Sequence, residues 1–171
     1  MDTKLLYDYH VWSFAALADH MEIHLPQVLY HERVSSGFST IALTLQHIYL
    51  IDSIWYEAAQ GHKPGFPSSE QEDRNASDEE IDMQDIKDRF SRLHERFSLL
   101  LSMPQTKWET EVRFKNDRGG ETSLTLEEAI ITMVNHGTYH RGAIASMLRQ
   151  LGYAGHSVSF AAYIKTRKYR V

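Results

Sequence analysis

The sequence predicts an all-α fold, a four-helix bundle with a short strand-like hairpin excursion before the last long helix. Three observations carry this prediction. Four stretches repeat apolar residues in steps of three and four, capping residues and turn formers separate them, and one segment alternates with a period of two.

The first helix is expected from Leu5 to about Leu25, with Leu5, Leu6, Tyr9, Ser13, Ala16, Leu17 and His20 near one face and Pro26 as its stop. "ERVSSGFS" follows and reads as a loop. A second helix runs from about Ser39 to Gln60, with Thr44, His47, Ile51, Ile54, Trp55 and Ala58 on its inner stripe and Gly61 as its C-terminal cap. "GHKPGFPSSEQEDRNAS" is a long polar loop. Ser77 and Glu80 form a capping box, and a third helix extends to about Met103, turning Ile86, Phe90, Leu93, Phe97, Leu100 and Leu101 inward.

In "WETEVRFKNDRGGETSL", Trp108, Thr110, Val112 and Phe114 alternate with charged residues, as in a half-buried strand, and "NDRGG" supplies turn chemistry for a hairpin. Thr125 and Glu128 form a second capping box. It opens a long helix in which Leu126, Ile130, Met133, Gly137, His140, Ile144, Met147 and Leu151 repeat like a bundle seam up to Gly152.

The 171 residues suffice for a substantial core, and no composition break or internal repeat divides them, so one domain spanning residues 1–171 is expected. A net charge of −5 argues against a nucleic-acid partner; the basic residues Lys165, Arg167, Lys168 and Arg170 read as a solvated tail. Cysteine is absent, which excludes disulfides, thiolate metal sites and a cysteine nucleophile from this chain. No segment approaches the roughly 18–20 apolar residues of a membrane span, and the N-terminus lacks the pattern of a signal peptide, so the chain reads as cytoplasmic with no membrane partner.

The residues with distinctive chemistry are histidines. His136 and His140 are four apart on the last helix, so both rings share a face and can bind one divalent ion. Spacing is weak support by itself, because His20 and His24 have it too and the chain has 10 histidines. Two features separate the later pair. His140 falls in the apolar seam, where an unpaired polar group is costly, and His47 falls on the inner stripe of the second helix. Three imidazoles would leave coordination positions open for water or substrate; the alternative is three buried histidines satisfied by hydrogen bonds. The motif is not that of an HExxH metalloprotease, because Gly137 stands where the glutamate base belongs. Asp52 and Glu57 are the candidate proton acceptors, each set against an ordinary solvated role.

"LQHIYLIDSIWYEAAQG" and "TLEEAIITMVNHGTYHRGAIASMLRQLG" resemble the DinB-like family of four-helix-bundle proteins, which includes the YfiT-type proteins read as metal hydrolases and is unrelated to the DNA polymerase of the same name. The similarity of order extends over nearly the whole chain. It implies His47, His136 and His140 as the metal ligands, and a divalent ion, zinc or nickel ahead of iron or manganese. It demotes His20 and His24 to solvent-facing or structural residues. The chain departs from the family at Ala143, where a glutamine often follows the Arg-Gly, and after Gly152, where an aspartate is often found. Arg141 reads as a structural residue pairing with a carboxylate or carbonyl, with an anionic substrate as the other option.

The resemblance further implies a homodimer and a small-molecule substrate. The leading expectation is a metal-dependent enzyme, either a hydrolase or an S-transferase using a low-molecular-weight thiol such as bacillithiol or mycothiol. The competing expectation is a non-catalytic, stress-linked binding protein whose metal is structural or vestigial.

Overall fold

The computed structural model describes residues 2–62, 64–66, 82–104, 108–115 and 120–168. Helix α1 spans Thr3–His24, with the Asp2 carboxylate accepting from the Leu5 amide at 2.9 Å as its N-cap. A 3₁₀ turn, Gln27–His31, follows Pro26 and buries Tyr30. Helix α2 is Ile41–Ala59; Thr40 caps it by accepting from the Leu43 amide at 3.1 Å. Gly61, at φ +87°, turns the chain away in the left-handed region that side chains resist.

Helix α3 is Met83–Leu101 with Asp82 as its N-cap. The capping box expected at Ser77–Glu80 lies outside the described residues. Strands β1 (Glu111–Lys115) and β2 (Glu121–Thr125) pair antiparallel, with Val112 opposite Leu124. Helix α4, Leu126–Gln150, opens on the capping box that the sequence indicates: Glu128 N–H donates to Thr125 Oγ1 at 3.2 Å, and Thr125 N–H donates to the Glu128 carboxylate at 2.8 Å.

A short helix, α5, occupies Phe160–Lys168. The solvated-tail reading of this region therefore needs correction for the described residues. Lys165, Arg167 and Lys168 are exposed, but they decorate a helix whose Tyr163 is buried against Tyr9 and Trp12. Tyr9 Oη also donates to the Val158 carbonyl at 2.9 Å, tying the lead-in of α5 to α1.

Helices α3 and α4 each pack against both α1 and α2. Because α1 also carries α5, it buries more than the one stripe read from the sequence. Thr3, Tyr7, His10, Phe14, Ala18 and Met21 are buried along with Tyr9, Ser13 and Leu17, whereas Leu5, Leu6, Ala16 and His20 are only half-buried. The hairpin folds back on the end of α2, where Phe66 N–H donates to the Lys115 carbonyl and Phe114 meets Trp55 edge-on at 5.0 Å.

The core consists of two apolar clusters stacked along the bundle. One gathers Phe14, Met21, Ile41, Ile48, Phe90, Ile144 and Met147. The other gathers Tyr7, Trp55, Phe97, Ile130 and Met133. Near the junction of the two clusters each helix carries polar residues: His10 and Ser13 on α1, His47 and Asp52 on α2, His94 on α3, and His136, His140 and Arg141 on α4. A helix stripe that is apolar at both ends and polar in the middle marks the level of a site.

Phe90 is fully buried and stacks on Phe14 at 3.8 Å. Phe90→Ala is expected to lower the unfolding free energy by about 3–5 kcal/mol, whereas Leu99→Ala, at a position 71% exposed, should change it by less than about 0.5 kcal/mol. Urea denaturation of the two variants checks the inward face of α3, and equal losses would contradict it.

Candidate metal centre

His47 comes from the middle of α2, and His136 and His140 come from adjacent turns of α4. One ring nitrogen of each lies within 4.8 Å of the others, and among the described residues this is the one such group of three able to hold a metal ion. The ring centroids are 4.4–4.8 Å apart. The structure thus brings together the three histidines that the sequence singles out, from positions 89 residues apart.

The Nε2 atoms of His47 and His136 face each other at 2.8 Å. Two neutral imidazoles can share one N–H there, or both can turn lone pairs toward a cation. Hydrogen bonding does not saturate the cluster, since His136 Nδ1 is buried with no hydrogen-bond partner among the described residues. Ligand nitrogens on one ion at about 2.0–2.1 Å can be no more than about 4.2 Å apart. Small ring rotations suffice to close the cluster, so the donor set fits a single divalent ion.

Burial keeps the rings in the form that binds metal. It pushes the pKa of His47 down to about 4, with the neighbouring His140 adding to the effect. Burial followed by His140, His47, His10 and Arg141 pushes His136 down to about 3, and burial lowers His140. A neutral imidazole presents the lone pair that a cation requires.

Aromatic rings wall the cluster. Phe38, on the loop before α2, lies 4.5 Å from the His47 ring and 5.6 Å from the His140 ring. Tyr139 meets His140 edge-on at 5.0 Å and is 74% exposed. Phe38 lies in the loop read as turn formers, and no periodicity could mark it.

A second set of polar residues fixes α4 beside the site. Arg141 is 2% exposed, and its guanidinium donates to His10 Nδ1 at 3.2 Å and to Thr138 Oγ1 at 3.0 Å. A guanidinium only donates, so His10 Nδ1 must be the acceptor and His10 Nε2 must carry the proton. That N–H donates to the Asp52 carboxylate at 2.8 Å. A neutral histidine therefore bridges a buried cation and a buried anion. Arg141 is buried as a structural residue would be, but its partners are a histidine ring and a threonine hydroxyl in place of the carboxylate or carbonyl expected. The solvated role weighed for Asp52 does not hold, because Asp52 is 1% exposed. Glu57 pairs with His62 near the surface.

His10 was not singled out in the sequence, although a histidine among Tyr7, Tyr9 and Trp12 on a helix hints at a buried role. Gly137 is explained by the same contact. A Cβ there would lie 2.5 Å from His10 Cε1 and 2.7 Å from Arg141 Nη1, so only glycine lets α1 and α4 approach this closely.

The model of the DinB family matches residues 1–169. Protein DinB of Bacillus subtilis (strain 168) is 33% identical over 166 residues, covering 95% of each chain. The solved structure of YfiT from Bacillus subtilis, described as a probable metal-dependent hydrolase with an unusual four-helix bundle topology, superposes with a TM-score of 0.68 over 89% of each chain at 18% identity. At that identity the likeness speaks for the fold alone.

Two outcomes follow from the buried network. Gly137→Ala is expected to force His10 aside and cost about 1–3 kcal/mol, and Asp52→Ala, which strands the buried guanidinium, about 3–5 kcal/mol. Denaturant unfolding measures both, and wild-type stability in either variant would contradict the network. The second outcome concerns acid. Burial, with His10 and Arg141 close by, holds the pKa of His94 down to about 3 against 6.5 for a free histidine. The unfolded chain therefore takes up a proton below about pH 6.5 that the folded chain refuses, and stability falls from there toward the lower value. In His94→Phe, which suits the rings of Tyr7, Phe14 and Phe90 around it, the metal-free protein should show a shallower acid loss of melting temperature.

Proposed function

The chain belongs to the DinB family, and from that premise we propose that it is a metal-dependent enzyme in which His47, His136 and His140 hold a divalent cation. The observation that carries this reading is the convergence of three neutral imidazoles from two helices at one walled cluster. Imidazole-only donors suit zinc or nickel, with iron and manganese further down the order. An ion held by three neutral ligands keeps its full positive charge, and the chemistry it supplies is Lewis-acid activation of a water or thiol together with polarisation of the substrate.

The remaining work falls to the chain's own residues. His47, His136 and His140 each bring a ring nitrogen to one locus, and the Arg141–His10–Asp52 network fixes the helix turn that carries two of them. Phe38 and Tyr139 flank the cluster and offer ring faces to a small organic substrate. The two carboxylates considered as proton acceptors are engaged elsewhere, Asp52 with His10 and Glu57 with His62. That engagement favours a nucleophile needing little help to ionise. A low-molecular-weight thiol, whose pKa lies near 8.5 in cysteine, meets that need far better than water does. Thiol transfer is therefore placed ahead of hydrolysis, and a binding protein without turnover is the competing reading.

The expected result for His140→Ala is loss of one equivalent of metal per chain by elemental analysis, with turnover abolished. Activated esters, amides and alkyl donors, each offered with and without a small thiol and with and without added zinc or nickel, separate the activities. Unchanged metal content in His140→Ala would sink the metal assignment. Metal binding without turnover of any member of the panel would favour the binding protein.

A further inference from the structure

The two helices that carry the candidate centre differ in charge from the rest of the bundle. Helix α3 is charged along its outer side, from Asp85 to Arg96. Between Ile130 and Leu148, by contrast, α4 has a single charged residue, Arg141, and that side chain is buried against His10. Helix α2 has Asp52, also buried against His10, and Glu57 near its C-terminal end.

The consequence is a rim without charge. Residues three and four positions from a ligand share its helix face. Those that are not buried are Leu43 and Leu50 beside His47, Thr132 and Tyr139 beside His136, and Ala143 beside His140. Leu50 and Tyr139 are large apolar side chains left exposed.

Phe38 completes this rim from the loop before α2, and the loop is fastened to the C-terminal end of α4. Ser35 N–H donates to Gln150 Oε1 at 3.1 Å, and Gln150 Nε2 donates to the Ser35 carbonyl at 3.1 Å. Val34 N–H donates to the Ser39 carbonyl at 2.8 Å and closes the loop on itself. A two-point amide clamp at the base of a short loop sets where its tip stands, so the Phe38 ring is held over His47 and His140.

We propose that Phe38 determines specificity at this centre, and that the substrate group lying against Phe38 and Tyr139 is uncharged and aromatic or branched aliphatic. Specificity of this kind rests on the divalent ion proposed at His47, His136 and His140. An anionic head can coordinate such an ion, so the charge rule applies to the part of the molecule beyond the coordinating atoms. There a carboxylate or an ammonium group would lose water and meet no counter-charge on the rim, whereas an apolar group would exchange water for ring faces.

Hydroxamates test this, because they present a constant metal-binding head with a variable tail. Zinc-loaded protein, its metal content measured, is titrated by calorimetry with hydroxamates bearing methyl, phenyl, 2-carboxyethyl and 2-trimethylammonioethyl tails. The phenyl compound is expected to bind at least about tenfold more tightly than the methyl compound, and the two charged ones no more tightly than methyl. In Phe38→Ala the phenyl preference should fall by about fivefold or more, with metal content and affinity for the methyl compound unchanged. Gln150→Ala, an exposed change that releases the loop and touches no ligand, should weaken the same preference. Equal affinity for phenyl and charged tails, binding of no hydroxamate by the zinc-loaded protein, or a phenyl preference unchanged in both variants would overturn the proposal. So would a Tyr139→Ala variant that dissociates a dimer in sedimentation with the tail preference intact, since that assigns the uncharged face to a second copy of the chain. Failure of the metal assignment shows separately, as wild type that holds no zinc.

Discussion

The rest of the structure depends on a buried cation and how it is neutralised. Arg141 is almost wholly removed from water in the middle of the bundle, and an unpaired guanidinium there would be untenable. Its charge is met by Asp52 through a neutral histidine, so one hydrogen-bonded chain links α4 to α1 and α1 to α2. A directional chain of this kind sets the rotation and depth of three helices in a way that apolar packing alone does not, since Leu, Ile and Met accept many arrangements. Gly137 belongs to the same device, because the chain closes only if α4 presents no side chain at the point where His10 passes.

Function and structure share this level of the bundle. His136 and His140 flank Gly137 and Arg141 on α4, so the contact that fixes the helix also fixes two imidazoles. The positive charge of Arg141 adds to the burial that keeps His136 neutral. A cluster of rings kept unprotonated and held by its surroundings is organised for a cation in advance, which is what rapid and selective binding requires. The apolar clusters above and below serve as rigid ends, and the polar layer between them is the part of the core with chemistry in it.

The hairpin and the C-terminal segment are added around this frame. The hairpin covers the end of α2 through Trp55, Phe66 and Phe114, while the C-terminal segment crosses α4 and α1 and carries Val158 and Tyr163 onto Tyr9. That crossing also stacks His156 on His20 near the end of α1. Among the described residues no helix is long and apolar enough to cross a membrane.

The sequence by itself determined the local structure. Helix periodicity, the Thr125–Glu128 capping box, the alternation in the strand and the glycines at helix ends are short-range signals; the helices, box and glycines form where the residues indicate, while the strand starts only at Glu111, after Trp108 and Thr110 of the alternation. The inward face of α3 was also legible, because a helix with a strongly charged outer side has one unambiguous apolar stripe. So were the histidines His47, His136 and His140 as a possible cluster, since two are local and the third lies on a readable inner stripe. Tertiary structure alone decided the rest. α1 contacts α3, α4 and α5 at once, so its buried surface is broader than any single stripe. Asp52 reads in the sequence as a solvated carboxylate, nothing local joins it to His10 and Arg141, and only their meeting removes all three from water. The same holds for Phe38 over the site and His156 beside His20. Periodicity reports which residues share a face of one helix, whereas neutralising a buried charge or closing a ring of imidazoles is a relation between segments far apart in the chain, and that relation exists only once they are packed.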